Sequence, residues 1–180
     1  MSTQTQNKAS IETERLLIRP FTPEDYPHLK ALHQHPDVAK TTSSGYSDDQ
    51  KVQEELDEYQ EEQARLGISQ WAIFWKDSST FVGRTGLQFR VWDLSQGPQY
   101  EWRVAVHPDV WGQGIAPEAG KAIIHYAFET LNIERVVMSH WSYNKKSPIL
   151  AQKLGFTYLY DTPVHGDQCP YYEIHKAKES

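Results

Sequence analysis

The chain has 180 residues, 38% of them hydrophobic and 12% aromatic, which suits one domain with its own core and excludes a disordered chain. Its net charge of −6 is concentrated: residues 48–62 carry eight acids against Lys51, a net −7, and the remaining +1 offers no broad footprint for nucleic acid. No apolar run approaches the ~20 residues that span a bilayer, MSTQTQNKAS lacks the apolar centre of a signal peptide, and the lone Cys169 excludes an intrachain disulfide. A cytoplasmic protein is expected, with a loose tail over residues 1–9 and one domain over residues 10–178.

In chain order, Leu16 to Arg19 reads as a short strand. Thr22-Pro23 offers an N-cap and a proline at the first helical position, for a helix that Pro36 should stop. Ser47 with Gln50 has the capping-box pattern for a second helix, and Val52, Leu56 and Tyr59 follow at helical spacing. Gly67 should end it. SQWAIFW and FVGRTGLQFRVW then read as a hairpin, joined by KDSST, and YEWRVAV from Tyr100 as a third strand. A helix over 116–131, a strand in IERVVMSHW, a short helix over 146–154 and strands in FTYLYD and CPYYEIH complete an α+β, or mixed α/β, pattern around one sheet.

The stretch HPDVWGQGIAPEAG sets its smallest residues where a helix begins. Gly112, Gly114 and Ala116 leave backbone N–H groups unobstructed before a helix entered at Pro117, with Glu118 at its positive end. Such a loop suits a phosphate or pyrophosphate, although glycines also serve tight packing. The GxxxxGK[ST] and GxGxxG patterns are both absent. His33-x-His35 lacks a third ligand in sequence, so no metal is expected. Cys169, beside Pro170 with no evident base, reads as a buried thiol rather than a nucleophile.

WGQGIA resembles the acetyl-coenzyme A loop of the GNAT N-acetyltransferase superfamily, with Trp111 where arginine or glutamine is usual. That variant resembles the branch that acetylates ribosomal-protein N-termini. ETERLLIRPFTPEDY, VGRTGL and NKKSPILAQKLGF are similar to further motifs of the branch, in the correct order. The resemblance implies a single domain with a mostly antiparallel sheet, a splayed parallel strand pair and helices on both faces. It implies that Val104, Ala105 and Val106 pair with the pantetheine arm. The pyrophosphate would sit on the amides of Gly112, Gln113, Gly114, Ile115 and Ala116, flanked by Trp111 and Pro117. Asn144 would touch the coenzyme arm, and a backbone N–H near Val106 would polarise the carbonyl.

The tyrosine acid frequent in the superfamily falls at Ala151, which leaves Ser147 to assist the departing thiolate or to cap its helix. Tyr143 is a neighbouring phenol outside the motif. Glu101 matches a glutamate common in the branch and is read as the base, directly or through water. Its structural alternative is a strand glutamate paired with Arg103 or a cross-strand lysine. The acceptor is expected to be an amine: a protein N-terminus, a polyamine or another small amine. The acidic stretch 48–62, which otherwise reads as a solvated helix face, and Tyr158, Tyr160, Tyr171 and Tyr172 suit such a cation, while Trp71, Trp75 and Trp92 read as core by default and otherwise as lining the same groove. Neither a nucleic-acid nor a membrane partner is expected, and the oligomer is a monomer or homodimer. Two other classes stay open: a non-catalytic acyl-coenzyme A sensor, and an unrelated nucleotide-binding domain.

Overall fold

The computed structural model describes residues 9–42, 45–91 and 93–178. Eight strands form one sheet: β1 (Ile11–Glu12), β2 (Leu16–Pro20), β3 (Gln70–Trp75), β4 (Phe81–Arg90), β5 (Gln99–Val106), β6 (Arg135–Ser139), β7 (Thr157–Val164) and β8 (Asp167–His175). Their order is β1-β2-β3-β4-β5-β6-β8-β7. Every neighbouring pair is antiparallel except β5 and β6. The helices are α1 (Tyr26–His33), α2 (Pro36–Ala39), α3 (Asp49–Leu66), α4 (Ile115–Glu129) and α5 (Ser147–Leu154). This is the expected mixed α/β domain.

Alternation along the strands divides the core into two layers. On one face α4 sets Ile115, Ala119, Ile123 and Ala127 at helical spacing against Leu16, Ile18, Trp71, Leu87 and Trp102. Each large side chain fully buried there contributes roughly 1.5–3 kcal/mol. On the other face α1 and α3 place Leu29, Val52, Leu56 and Tyr59 against Phe21, Ala72 and Phe74.

Helix boundaries depart from the expected ones for local reasons. Pro36 begins α2 instead of only ending α1, because proline needs no N–H at a first helical position. Asp48, not Ser47, caps α3 by accepting from the Lys51 amide at 2.9 Å. Ser47 is buried and donates to Glu55 at 3.3 Å. Gly67 ends α3 in the left-handed conformation, as expected. Helix α4 starts at Ile115 with Gly114 as its cap, so Pro117 is the third helical residue. Proline is tolerated there because the whole first turn lacks intrahelical N–H partners.

The feature that positions the site is a divergence within the sheet. β5 stays paired with β4 from Gln99 to Val106, and β6 stays paired with β8 from Arg135 to Ser139. Between β5 and β6 only Glu101 opposite Val137 is in register. β4 hugs β5 at its far end because Gly83 has no side chain: a Cβ there would stand 2.3 Å from the Ala105 carbonyl oxygen and 2.9 Å from the Val106 Cα. The β3–β4 register also shifts here, between Ile73 and Phe74, which puts Val82 and Arg84 on opposite faces. Gly83→Ala is therefore expected to lower stability by about 1–3 kcal/mol in urea denaturation, since rigid backbone must move. A variant as stable as the parent would contradict this account of the strand contact.

Candidate active site

A cleft of about 720 Å³ opens where β5 and β6 part. Its walls carry Trp102, Val104 and Val106 from the α4 face of β5, and Arg103 and Ala105 from the α1/α3 face. The opening therefore runs through the sheet. The ladder fixes where the β5 main chain points. His107 N donates to Val82 O at 2.8 Å, so odd-numbered residues bond to β4. The N–H and C=O groups of Val104 and Val106 then face the gap, where β6 pairs with neither residue. The Val106 carbonyl accepts the Trp111 indole N–H at 2.7 Å, the bond this parity requires.

The glycine loop forms one end of the cleft. Gly112 and Gly114 both adopt φ of 78°, a left-handed conformation that other residues enter at a cost. A Cβ on Gly112 would meet nothing within 4 Å. Among the described residues, none of the amides from Gly112 to Ala116 donates to a main-chain carbonyl. These N–H groups and the helix N-terminus are thus left without main-chain acceptors, an arrangement that suits anionic oxygens. Glu118 fixes this helix end by accepting from Thr13 Oγ1 at 2.6 Å, the Arg15 amide at 3.0 Å and Arg15 Nε at 2.7 Å. Burial raises its pKa, but these donors hold it below the ordinary carboxylate value.

The expected residues fall into place unevenly. Gly112, Gly114, Ile115, Ala116 and Pro117 line the cleft, although the Ile115 side chain lies in the core. Gln113 is exposed and its side chain is not on the wall. Trp111 is on the wall and carries the Lys146 ammonium 4.7 Å from its ring centroid. Its indole thus joins the loop to β5 and to the start of α5. Asn144 and Ser147 also line the cleft. Asn144 Oδ1 accepts from the amides of Lys146 and Ser147, both at 3.3 Å. The capping task is therefore done by Asn144, and the Ser147 hydroxyl makes no hydrogen bond among the described residues.

Glu101 is placed differently from the rest. It lines an adjoining recess of about 390 Å³ with Arg90, Pro163 and His165, while Arg103 belongs to both walls. Glu101 is 2% exposed, so it is not an outward-facing strand residue. Arg103 Nε lies 3.2 Å from Glu101 Oε2, yet that oxygen has no aligned hydrogen-bond donor among the described residues. Burial raises the Glu101 pKa, against smaller opposing effects of Arg103 and Arg90.

Other candidates lie elsewhere. Neither the acidic stretch 48–62 nor any of Tyr158, Tyr160, Tyr171 and Tyr172 lines the cleft. Glu58 and Glu62 pair with Arg90, Asp49 with Lys30, and Glu55 with His33. Trp71 is fully buried, Trp75 packs on the core, and Trp92 lies outside the described residues, as do residues 1–8 of the expected tail. Burial pushes the Cys169 thiol up to about 12, so it holds no thiolate at neutral pH. His33 is held by Glu55 and Arg84 rather than poised for a metal. No described helix is long and apolar enough to cross a membrane.

The structure adds wall residues that the motifs did not single out. Lys145, Lys146 and Lys153 surround the loop end, and Lys40, Thr41 and Arg84 the opposite side. The Lys145-Lys146 pair beside Asn144 was the available signal. Tyr143 also lines the cleft and donates to the Lys40 carbonyl at 3.2 Å, tying the β6–α5 loop to the end of α2.

Comparison with known proteins agrees with this geometry. Residues 15–157 match the acetyltransferase (GNAT) domain. The FsC-acetyl coenzyme A-N(2)-transacetylase of Aspergillus fumigatus is 26% identical over 177 residues, covering 87% of this chain and 71% of that protein. A Bordetella pertussis chain assigned to the GNAT family superposes with a TM-score of 0.82 at 21% identity, covering 92% of this chain and 99% of the other. The ribosomal-protein-S5-alanine acetyltransferase of Vibrio fischeri superposes with a TM-score of 0.74 at 14% identity, covering 93% and 97%. With its split sheet, its bare amide loop and this match across most of its length, the chain belongs to the GNAT family of acetyltransferases, whose chemistry is acetylation from acetyl-coenzyme A.

Proposed function

We propose that this protein is an N-acetyltransferase that moves the acetyl group of acetyl-coenzyme A directly to a primary amine. The observation that carries the reading is the run of unpartnered amides from Gly112 to Ala116, open onto a cleft that passes through the sheet. The diphosphate fits there, with Lys145, Lys146 and Lys153 adding positive charge and Trp111 and Pro117 at its flanks. The pantetheine arm brings two amides, and the gap-facing main-chain groups of Val104 and Val106, of which the Val106 carbonyl already accepts the Trp111 indole N–H, are suitable partners once water is excluded. Ala105 faces the other layer and packs with Leu32 and Val38. Acetyl-coenzyme A supplies an activated acyl thioester; everything else asked of the site is placement and proton handling.

An amine must lose its proton before it attacks, because only the neutral form has a lone pair. An α-amine titrates near ~8 and an alkyl amine near ~10. Glu101 is the proposed base, and its place behind Arg103 favours transfer through a water in the small recess over direct contact. The Val106 N–H faces the gap and would stabilise negative charge on the carbonyl oxygen. Ser147, with its hydroxyl unengaged, would donate toward the leaving sulfur. Asn144 holds the first turn of α5, and with it Ser147, in position.

Gly112→Ala tests the loop. Its side chain meets no protein atom, so stability should fall only by the left-handed backbone cost of about 1–2 kcal/mol. Coenzyme A binding measured by calorimetry should weaken by at least about tenfold, the equivalent of about 1.4 kcal/mol. Unchanged affinity would remove the diphosphate from this loop.

Glu101→Gln tests the base. The raised carboxyl pKa places an acid limb in kcat/KM above the ordinary carboxylate range, with activity rising as pH climbs through it. The variant should lose that limb and about a hundredfold in rate. Its stability should hold, because burial already disfavours the charged carboxylate. Full activity across roughly pH 6–9, the span over which α-amines begin to deprotonate, would eliminate Glu101 as the base.

A further inference from the structure

Arg84 lies on β4 opposite Ala105, on the α1/α3 side of the cleft and 4% exposed. Its Nε donates to His33 Nε2 at 2.7 Å, and its Nη1 donates to Gln70 Oε1 at 2.8 Å. Both partners are uncharged. His33 Nε2 can accept only while unprotonated, so the ring proton sits on Nδ1 and is donated to Glu55 Oε2 at 2.6 Å. Burial and Arg84 both pull the His33 pKa down, against Glu55, consistent with that neutral ring. Among the described residues no carboxylate forms an ion pair with Arg84, and its Nη2 donates to nothing. Glu55 is present only across the imidazole.

A buried guanidinium without a paired anion is costly to keep. The fold nevertheless holds this one rigidly, through a relay of side chains from α1, α3 and β3, at the wall of a cleft. Lys40 stands on the same wall. The acids of α3 that would favour a polycation face other partners: Glu58 and Glu62 turn to Arg90, and Asp49 to Lys30. The acceptor half of the cleft is therefore positive where a plain polyamine would need it negative.

We propose that Arg84 recognises a carboxylate on the acceptor, and that the acceptor class is an amine bearing a carboxylate close to its reactive nitrogen, namely an amino acid. This rests on the amine-acetylation reading given above. The carboxylate completes the charge balance of Arg84 through its free N–H groups, a planar match that a lysine would not provide. The same contact orients the neighbouring amine toward the gap, since Arg84 sits one strand spacing, about 4.8 Å, from β5, whose far edge borders it. His33 and Glu55 are positioning residues that fix the guanidinium plane.

The test compares amino acids with their own carboxamides, and peptides with aspartate or asparagine at the second position, by acetyl-coenzyme A-dependent thiol release and product mass. The wild-type protein should favour the free amino acid over its amide by at least about tenfold in kcat/KM. Preference for the aspartyl peptide alone would move the carboxylate to a peptide side chain and overturn the amino-acid assignment. Arg84→Gln should collapse the acid-to-amide ratio through the acceptor KM, with Arg84→Lys recovering part of it, and His33→Gln should reduce the ratio partially. Equal use of acids and amides by the wild-type protein overturns the proposal without any variant having to fold. So does an Arg84→Gln protein that loses acids and amides in equal measure. If coenzyme A binds and no amine of any kind releases thiol, the N-acetyltransferase reading itself fails, and this inference with it.

Discussion

One backbone pairing governs the rest: Glu101 opposite Val137, the last point at which the two halves of the sheet meet in register. Beyond it each half keeps its own outer partner, β4 for β5 and β8 for β6. The inner edges are left with main-chain groups that no strand satisfies. Buried polar groups of that kind demand partners, and a ligand with amides along its length can supply them. The divergence is maintained from outside the gap. Gly83 lets β4 lie so close to β5 that the end of β5 follows β4 rather than β6. The cleft is thus a consequence of strand pairing and does not depend on a mobile loop.

The same geometry separates two tasks by sheet face. On one face the cleft meets the glycine loop, the first turn of α4, and the lysines just before α5 and within it, all suited to anionic oxygens. On the other it meets Arg84, Arg103 and the end of α2. Because odd and even residues of β5 face opposite layers, one strand serves both. Val104 and Val106 pack toward α4 while Arg103 and Ala105 face α1 and α3, and the gap runs between them. Trp111 shows how the loop tolerates a residue unlike the usual arginine or glutamine. Its indole N–H ties back to Val106 and its ring meets Lys146, so it links three elements by contacts a charged side chain would make differently.

Much of this was legible in the sequence, for identifiable reasons. Strand and helix positions follow from period and punctuation, as with Gly67 and Gly155, which end α3 and α5 in the left-handed conformation. The glycine loop is local and carries its own backbone requirements, so its conformation could be anticipated. What was not legible depends on distant pairing. The stretch 48–62 reads as a bare acidic face until Arg90, Lys30 and His33 are seen to meet it. Ser47 reads as a cap because nothing nearby in sequence reveals that Glu55 accepts its hydroxyl proton. Glu101 reads in sequence either as a base or as an outward-facing strand residue, and nothing nearby in the chain reveals that it is buried beside a recess bounded by Pro163, Val164 and His165.

Arg84 is the sharpest case of that kind, since its partner His33 lies 51 residues away in the chain. In sequence it is one arginine within the VGRTGL stretch, and unbroken alternation would have set it on the same face as Val82. The β-bulge at Gly83 reverses the phase, turning the side chain into the α1/α3 layer instead of the α4 layer where Val82 packs. Gly83 and the bulge beside it therefore have two effects. They draw β4 against β5 and so help open the gap, and they reset the strand so that a guanidinium arrives beside that gap. The charge and the cleft are products of the same local irregularity, and a substitution that regularised β4 would be expected to alter both together.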